Sequence, residues 1–456
     1  MAQLVKGIFR EYDIRGIAGT ELTEETATLI GRGYASLLAE RGIQGEIAVG
    51  RDNRPSGEKL ERALIDALLA SGFDVVEIGV VPTPAVYWTQ HNLKVVGAIQ
   101  VTASHNPSEY NGFKLGLGTN SIYGKDIQRV YDLAVAGKFP QGKGRERSEE
   151  VLTRYAADVV QRIGKLSRPL KVVLDCGNGV GSVAVPLIFP NLGITPRNLF
   201  CESDGTFPNH HPDPTVEKNL VDIINAVKEE KADVGIAFDA DADRVGVVDG
   251  DGTIIWGDIL LVLFARDVLK RAPKGSSIIF DVKCSQALPE MITKAGGTPV
   301  MWKTGHSLIE EKMHETHSPL AGEMSGHMFF AEGYYGYDDA LYAGALILRI
   351  IADSGKSLKE LLADVPRFVS TPEIRVECPD DLKFGIVENA TKHFSVGHEV
   401  ITVDGIRVQF ADGWGLIRAS NTQPVIVMRF EARTAEHLAK IQGEMEGWLR
   451  EQGVKV

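Results

Sequence analysis

A short apolar run, an aspartate at its end, a polar loop, a helically spaced stretch, then glycine and a second apolar run: this order occurs three times along the chain. The first copy is Ile47-Ala48-Val49-Gly50-Arg51-Asp52, followed by Leu60, Ala63, Leu64, Ala67 and Leu68 and by Gly72 before Val75-Val76. Apolar residues three and four apart line one face of a helix, whereas a short unbroken apolar run reads as a buried strand. Ser56 is placed to cap that helix through its hydroxyl. The second copy is Lys171-Val172-Val173-Leu174-Asp175 with Gly177, Gly179 and Gly181, closing at Gly193. Pro186 and Pro190 predict that its helix is short or irregular, because proline has no amide to donate. The third runs Ile278-Ile279-Phe280-Asp281-Val282-Lys283, then a helix through Met291 and Ile292 that ends at Gly296-Gly297. Each copy begins a strand–helix–strand unit, so three similar mixed α/β domains in series are expected.

Polar stretches mark the joints. Residues 137–149 precede a new helical pattern through Val151, Tyr155 and Val159 and mark the first boundary, the turn Asp249-Gly250-Asp251-Gly252 marks the second, and Pro366 to Pro372 the third. The expected domains are therefore 1–149, 150–250, 251–368 and 369–456. The last lacks the repeated pattern and reads as strands followed by a helix with Leu438, Ile441, Met445 and Trp448 on one face, a different and smaller α+β fold.

At 456 residues the chain is too long for one core, which fits this division. Its composition, 44% hydrophobic and 24% charged, is that of a globular protein. A net charge of -12 argues against a nucleic-acid partner, whose phosphates need a broad basic surface, while an anionic small molecule needs only a few well-placed cations. Cys176, Cys201, Cys284 and Cys378 are scattered without C-x-x-C spacing, so reduced buried thiols are expected rather than a zinc site or a disulfide framework. The N-terminus shows no apolar leader and no run approaches the ~18 apolar residues of a membrane span, so a cytoplasmic protein without a membrane partner is expected.

Two segments carry the chemistry. Ser104, in Thr102-Ala103-Ser104-His105-Asn106-Pro107, follows the apolar run Val95 to Val101, so its hydroxyl lies on the loop at a strand end, where α/β folds place ligands. A serine in such a loop can serve as turn chemistry alone; with His105, Asn106 and Lys114 nearby it can also carry a phosphoryl group. Asp239, Asp241 and Asp243 alternate with alanines after Val234 to Phe238, and in an extended chain they project to one side. As a calcium loop the segment fails, because Arg244 stands where glycine is required; a hard cation with few protein ligands, as Mg²⁺ prefers, fits better. Nucleophile plus metal points to phosphoryl transfer. Gly322-Glu323-Met324-Ser325-Gly326-His327 offers hydrogen bonds for sugar hydroxyls and a histidine that is either structural or a proton carrier. Arg418-Ala419-Ser420-Asn421-Thr422-Gln423-Pro424 is either a polar hairpin turn or a phosphate cradle. Tyr12 and Arg15, in a segment too charged for a buried strand, are candidates to face a ligand.

Taken in order, these four motifs closely resemble the α-D-phosphohexomutase superfamily over nearly the whole chain. The resemblance implies four domains, three with a common α/β core and a fourth resembling the TATA-binding-protein fold, around a central cleft. It implies that Ser104 is a phosphoserine, that Asp239, Asp241 and Asp243 hold Mg²⁺ with it, and that Arg244 supports the site. It further assigns Glu323, Ser325 and His327 to sugar recognition, Arg418, Ser420, Asn421 and Thr422 to the distal phosphate, and Tyr12, Arg15, Lys283 and His306 to substrate binding. Lys114 and His327 are the implied general acid and base. Thr102 to Lys114 and the Gly322 loop look most like the bacterial phosphomannomutase/phosphoglucomutase branch; Tyr110, Phe113 and Met324 depart from the phosphoglucosamine mutase pattern. Gln423 stands where glutamate is common. The expected reaction interconverts hexose 1-phosphate and hexose 6-phosphate of mannose or glucose through a hexose 1,6-bisphosphate, which also serves as activator. Sugar phosphates are the expected partners, and a monomer or weak oligomer the expected state. The alternatives are a metal-dependent sugar-phosphate phosphatase, a phosphoglucosamine mutase, and a non-catalytic sensor.

Overall fold

The computed structural model describes residues 4–421 and 423–456. Its first sheet orders the strands Ile14–Ile17, Tyr110–Leu117, Val95–Val101, Glu46–Arg51, Asp74–Val80 and Glu146–Ser148. The three central strands, Val95–Val101, Glu46–Arg51 and Asp74–Val80, form two parallel, largely buried pairs, as expected of near-continuous apolar runs; Tyr110–Leu117 folds back antiparallel and brings Lys114 opposite Gln100. The second sheet runs Ile254–Ile255, Val245–Asp249, Val234–Phe238, Val172–Asp175 and Arg197–Leu199, again with a parallel centre. In the third, Thr298–Trp302 and Leu320–Gly322 flank Ser277–Asp281 in parallel. The fourth is antiparallel, built around Gly413–Ala419 and Val425–Ala432.

The helices follow the repeat, with differences that have local causes. Gly57–Ala70 begins after Ser56, but the Ser56 hydroxyl makes no capping bond because it accepts instead from Asn111 Nδ2 at 2.9 Å. The second repeat's helix is cut to Gly181–Ile188, with Pro186 inside it. Within the polar stretch 137–149, Glu146–Ser148 pairs with Asp74–Val80 as an exposed edge strand; it is wholly polar, which blunts a sheet edge. The Asp249–Gly252 turn is a hairpin inside the second sheet, because Ile254–Ile255 returns onto Val245–Asp249. In the last segment a helix not expected from the sequence, Asp380–Phe394, intervenes between strands; its buried Val387, Ala390 and Phe394 join Ile441, Met445 and Trp448 of Ala435–Glu451 in one core.

The chain forms two compact units, one of residues up to Leu260 together with Ser325–Leu362, the other of Leu261–Met324 and Ala363–Val456. The return of 325–362 to the first unit has an apolar cause. Helix Ala340–Ser354 buries eleven residues from Ala340 to Ala352, and at Gly344 an added Cβ would already lie 3.3 Å from Ile236 of the second sheet. Such a helix, apolar nearly all round, is stable only when enclosed. Cys176, Cys284 and Cys378 are buried, while Cys201 is half-buried. Among the described residues no helix is long and apolar enough to cross a membrane.

Candidate active site

In the first unit, strand Val95–Val101 delivers the Ser104 turn. Ser104 adopts φ +49, a left-handed conformation that costs a non-glycine residue free energy unless its surroundings enforce it. They do so here through Arg54, whose side chain is fully buried. Its guanidinium donates to the carbonyls of Ser104 (2.5 Å), Asn106 (2.6 Å), Pro107 (2.5 Å) and Tyr110 (3.1 Å), and to Asp52 Oδ2 (3.0 Å). Asp52 in turn accepts from the Thr102 hydroxyl at 2.7 Å, and Thr102 Oγ1 accepts from the Ser104 amide at 3.0 Å. From the first strand, Arg15 donates to Asn106 Oδ1 at 2.9 Å and to Ala103 O at 3.3 Å, while Tyr12 is buried nearby in sequence.

The Ser104 hydroxyl donates to Asp239 Oδ2 at 3.0 Å and lies 3.2 Å from His105 Nδ1. Asp239, Asp241 and Asp243 are fully buried, with carboxylate oxygens within 4.8 Å of one another. They converge, but not through the extended alternation expected. Residues 239–243 form a turn in which Ala242 has φ +60 and its amide donates to Asp239 O. Alanine's small side chain suits this compact path, and backbone bonds from Thr83, Val180 and Ala340 to Asp241 O, Ala240 O and Ala242 O pin it from three sides.

Lys114 is not part of the serine loop. It rises from strand Tyr110–Leu117, buried, with its ammonium 3.1 Å from Asp241 Oδ2 and bonded to Asp243. Burial opposes its charge, yet the two carboxylates hold its pKa well above the ordinary value. Lys114, His327 and Arg244 together drive Asp243 far down against burial, whereas burial and its two acidic neighbours push Asp239 well up. Asp241 Oδ1 and Asp243 Oδ1 are buried and accept no hydrogen bond among the described residues. Oxygen-only donors with orphaned lone pairs fit a hard divalent cation.

Arg244 donates through Nε to His327 Nε2 at 2.9 Å, and His327 Nδ1 lies 2.7 Å from Asp338 Oδ2. Burial alone would lower the His327 pKa; Asp243 and Asp338 reverse this and raise it. The segment is seated by Gly326, at φ +92, where a Cβ would come 2.5 Å from Val245 O, so a side chain is excluded. Ser325 is half-buried in the same unit.

In the second unit, Glu323 accepts from the Gly305 amide at 2.6 Å, ahead of the helix His306–Thr316, whose first residue His306 is buried. Lys283 pairs with Glu373 at 3.1 Å; burial disfavours its charge, but Glu373 and Asp281 raise its pKa. The loop carrying it is held by two arginines. Arg407 donates to Val282 O and Cys284 O at 2.8 and 2.7 Å while stacked 3.6 Å over Trp414, and Arg429 bonds Lys283 O. Arg418 donates to Asp404 Oδ2 at 3.0 Å. Beyond it, buried Lys383 donates to Ser420 O (2.5 Å), Gln423 O (2.9 Å) and Asp380 Oδ1 (2.6 Å). Ser420 is buried and Asn421 half-buried; Thr422 lies outside the described residues. Arg54, Asp338, Lys383 and Arg407 escaped sequence reasoning, since each is an ordinary polar residue until distant contacts bury it.

A buried hydroxyl among carboxylates, a lysine and a histidine is equipment for moving a phosphoryl group. The four models of the phosphoglucomutase/phosphomannomutase family match in order: α/β/α domain I at residues 6–140, domain II at 152–252, domain III at 256–368 and the C-terminal domain at 373–447. The chain belongs to this family. It is 46% identical over 448 residues to the phosphomannomutase/phosphoglucomutase of Pseudomonas aeruginosa, covering 98% of this chain and 96% of that one. A phosphoglucomutase of Neisseria meningitidis is 44% identical, covering 98% and 97%. The crystal structure of a phosphoglucomutase/phosphomannomutase family protein from Burkholderia thailandensis superposes with a TM-score of 0.91 at 44% identity, covering 98% of each chain.

Proposed function

We propose that this enzyme is a hexose-phosphate mutase that interconverts the 1- and 6-phosphates of mannose, glucose or both through phosphorylated Ser104. The observation that carries the reading is the Ser104 hydroxyl held 3.0 Å from Asp239 of the three-carboxylate cluster, in a chain so similar over its full length to proteins named for both sugars. Phosphoserine 104 transfers its phosphoryl group to the free hydroxyl of the sugar monophosphate, giving a hexose 1,6-bisphosphate. The bisphosphate reverses, returns its other phosphate to Ser104 and leaves as the isomeric monophosphate; as a free species it restores enzyme that has lost the phosphate. Asp239, Asp241 and Asp243, with the serine phosphate, would hold Mg²⁺, which would supply positive charge to the transferring group.

The chain's own groups do the rest. Arg54 and Asp52 fix the Ser104 oxygen in a strained turn, so little motion is lost at the moment of transfer. Lys114 and His327 exchange the proton of the attacking or leaving sugar hydroxyl, with Arg244 beside His327 adding positive charge near the transferred oxygens. Glu323 and Ser325 accept from or donate to sugar hydroxyls, Lys283 and His306 bind substrate, and Arg418, Ser420, Asn421 and Thr422 grip the phosphate that is not reacting. Tyr12 and Arg15 support substrate from the first strand.

Phosphorus NMR of the protein with Mg²⁺, glucose 1-phosphate and a trace of glucose 1,6-bisphosphate tests this reading. Formation of glucose 6-phosphate that is lost in Ser104→Ala, by about a thousandfold or more, is expected. Release of inorganic phosphate alone would mean a phosphatase and overturn the proposal.

A further inference from the structure

Strands Val172–Asp175 and Arg197–Leu199 pair in parallel, so the segments that follow them leave the sheet side by side. Cys176 and Cys201 lie on those segments with their sulfurs 2.6 Å apart, about half an ångström beyond the ~2.05 Å of a disulfide bond. The backbone enforces the approach. The amides of Cys176, Asn178 and Asp204 donate to Leu199 O (3.2 Å), Phe200 O (2.7 Å) and Asn178 O (3.0 Å), and Asn178 Nδ2 donates to Glu202 O at 2.9 Å. Asn178 and Phe200 have φ values of +60 and +50, conformations that non-glycine residues keep only where contacts hold them. The pair is asymmetric in exposure: Cys176 is fully buried and Cys201 half-buried, so a solute meets Cys201 first.

We infer that Cys176 and Cys201 form a reversible disulfide under oxidation by a peroxide, turning this corner of the second sheet into a redox-responsive clamp. The Cys201 thiolate attacks hydrogen peroxide and becomes a sulfenic acid as hydroxide leaves. The Cys176 sulfur then attacks the Cys201 sulfur; the S–S bond forms, the S–O bond breaks, and the oxygen departs as water with the Cys176 proton. Two thiols and one peroxide thus give one disulfide and two waters. Burial pushes the Cys176 thiol well up, so it acts as the resolving partner rather than as the first thiolate to meet the peroxide.

The clamp has a path toward the first repeat. Asn53 Nδ2 donates to Asn178 O at 2.7 Å and to Ser203 Oγ at 3.0 Å, and a Cβ on Gly205 would lie 2.1 Å from Asn53 O, so these loops are in intimate contact. The next residue, Arg54, holds the Ser104 carbonyl. Cross-linking the loops that Asn53 grips stiffens the Ser104 turn as well.

The test uses the full chain treated with hydrogen peroxide, then alkylated without reductant. Before alkylation the intact mass is expected to fall by two hydrogens, after it a peptide map to show residues 176 and 201 joined, and dithiothreitol to reverse both. Hydrogen exchange at 176–178, 199–204 and 102–107 is expected to slow about tenfold in the oxidised protein. Cys201→Ser, at the half-buried position, is expected to fold normally and to show neither bridge nor slowing. A mass gain of oxygen without a bridge, or a bridge through Cys284 or Cys378, would overturn the pairing; a bridge with unchanged exchange at 102–107 would overturn the clamp.

Discussion

The turn of Ser104 and the loop after Arg418 are both suspended from a buried cation, and they differ in which one. Arg54 spreads a rigid planar fork over four carbonyls and a carboxylate that is itself fully buried. Lys383 offers a single ammonium on a flexible stem to two carbonyls and to Asp380, whose side chain is 50% exposed. The fork fixes direction as well as distance, while an ammonium lets its partners swing about one point. On the mutase reading this difference matches the work: the serine must keep one line of attack, whereas the phosphate grip must accept a sugar presented by either end.

Replacing the fork tests that contrast most severely. Arg54→Ala strands the buried Asp52 charge and is expected to cost about 3–5 kcal/mol of stability in denaturant titration. Arg54→Lys keeps the charge but cannot span the carbonyls, and kcat is expected to fall about a hundredfold with KM little changed; an unchanged kcat would remove the geometric role. A smaller effect is expected at the other loop. Lys383→Met leaves two carbonyls unpaired, costing about 1–3 kcal/mol, and should raise KM about tenfold while kcat stays within about threefold. If kcat falls instead, the two loops do not differ in kind.

The remaining effect is one of pH and concerns a carboxylate, fully buried, with no cation bonded to it among the described residues. Asp339 caps helix Ala340–Ser354 and accepts from Tyr155, Tyr334 and the Tyr342 amide. Burial raises its pKa from 3.8 to about 7 despite those bonds. The folded protein therefore holds this proton more tightly than the unfolded chain, and stability falls as pH rises between about 4 and about 7. Asp339→Asn keeps an acceptor for the cap and is expected to flatten that part of the stability curve, read as melting temperature against pH. A slope unchanged by the substitution would assign it to other groups.

The sequence displayed Ser104 and the three aspartates because their chemistry is local: a hydroxyl at a strand end, and carboxylates two residues apart. Even so, the path of 239–243 differs from the extended one expected, since alternation is a strand signal and a tight turn gathers the same side chains by a different route. The repeat was legible for a similar reason, each aspartate lying at a fixed offset from an apolar run. Asp52 and Asp175 each accept from the amide two residues on, at 2.9 and 2.8 Å, and so shape the loop that follows. Arg54 was invisible because its meaning lies fifty residues away at Ser104, and Lys383 because it reads as a surface lysine in the first turn of an acidic helix. Pairings so distant in sequence leave no periodicity. The helix Ala340–Ser354 went unremarked in the sequence, and its apolar residues alone give no sign of which unit buries it.

That helix has a consequence for the order in which the protein is made. The first unit is incomplete until residues 325–362 have been synthesised, yet Leu261–Met324, part of the other unit, is made before them. At about 5–20 residues per second, the second sheet waits several seconds on the ribosome with the face meant for Ala340–Ser354 uncovered. The birth of this enzyme thus includes an interval in which a nearly finished core must avoid other apolar company until its own last piece arrives.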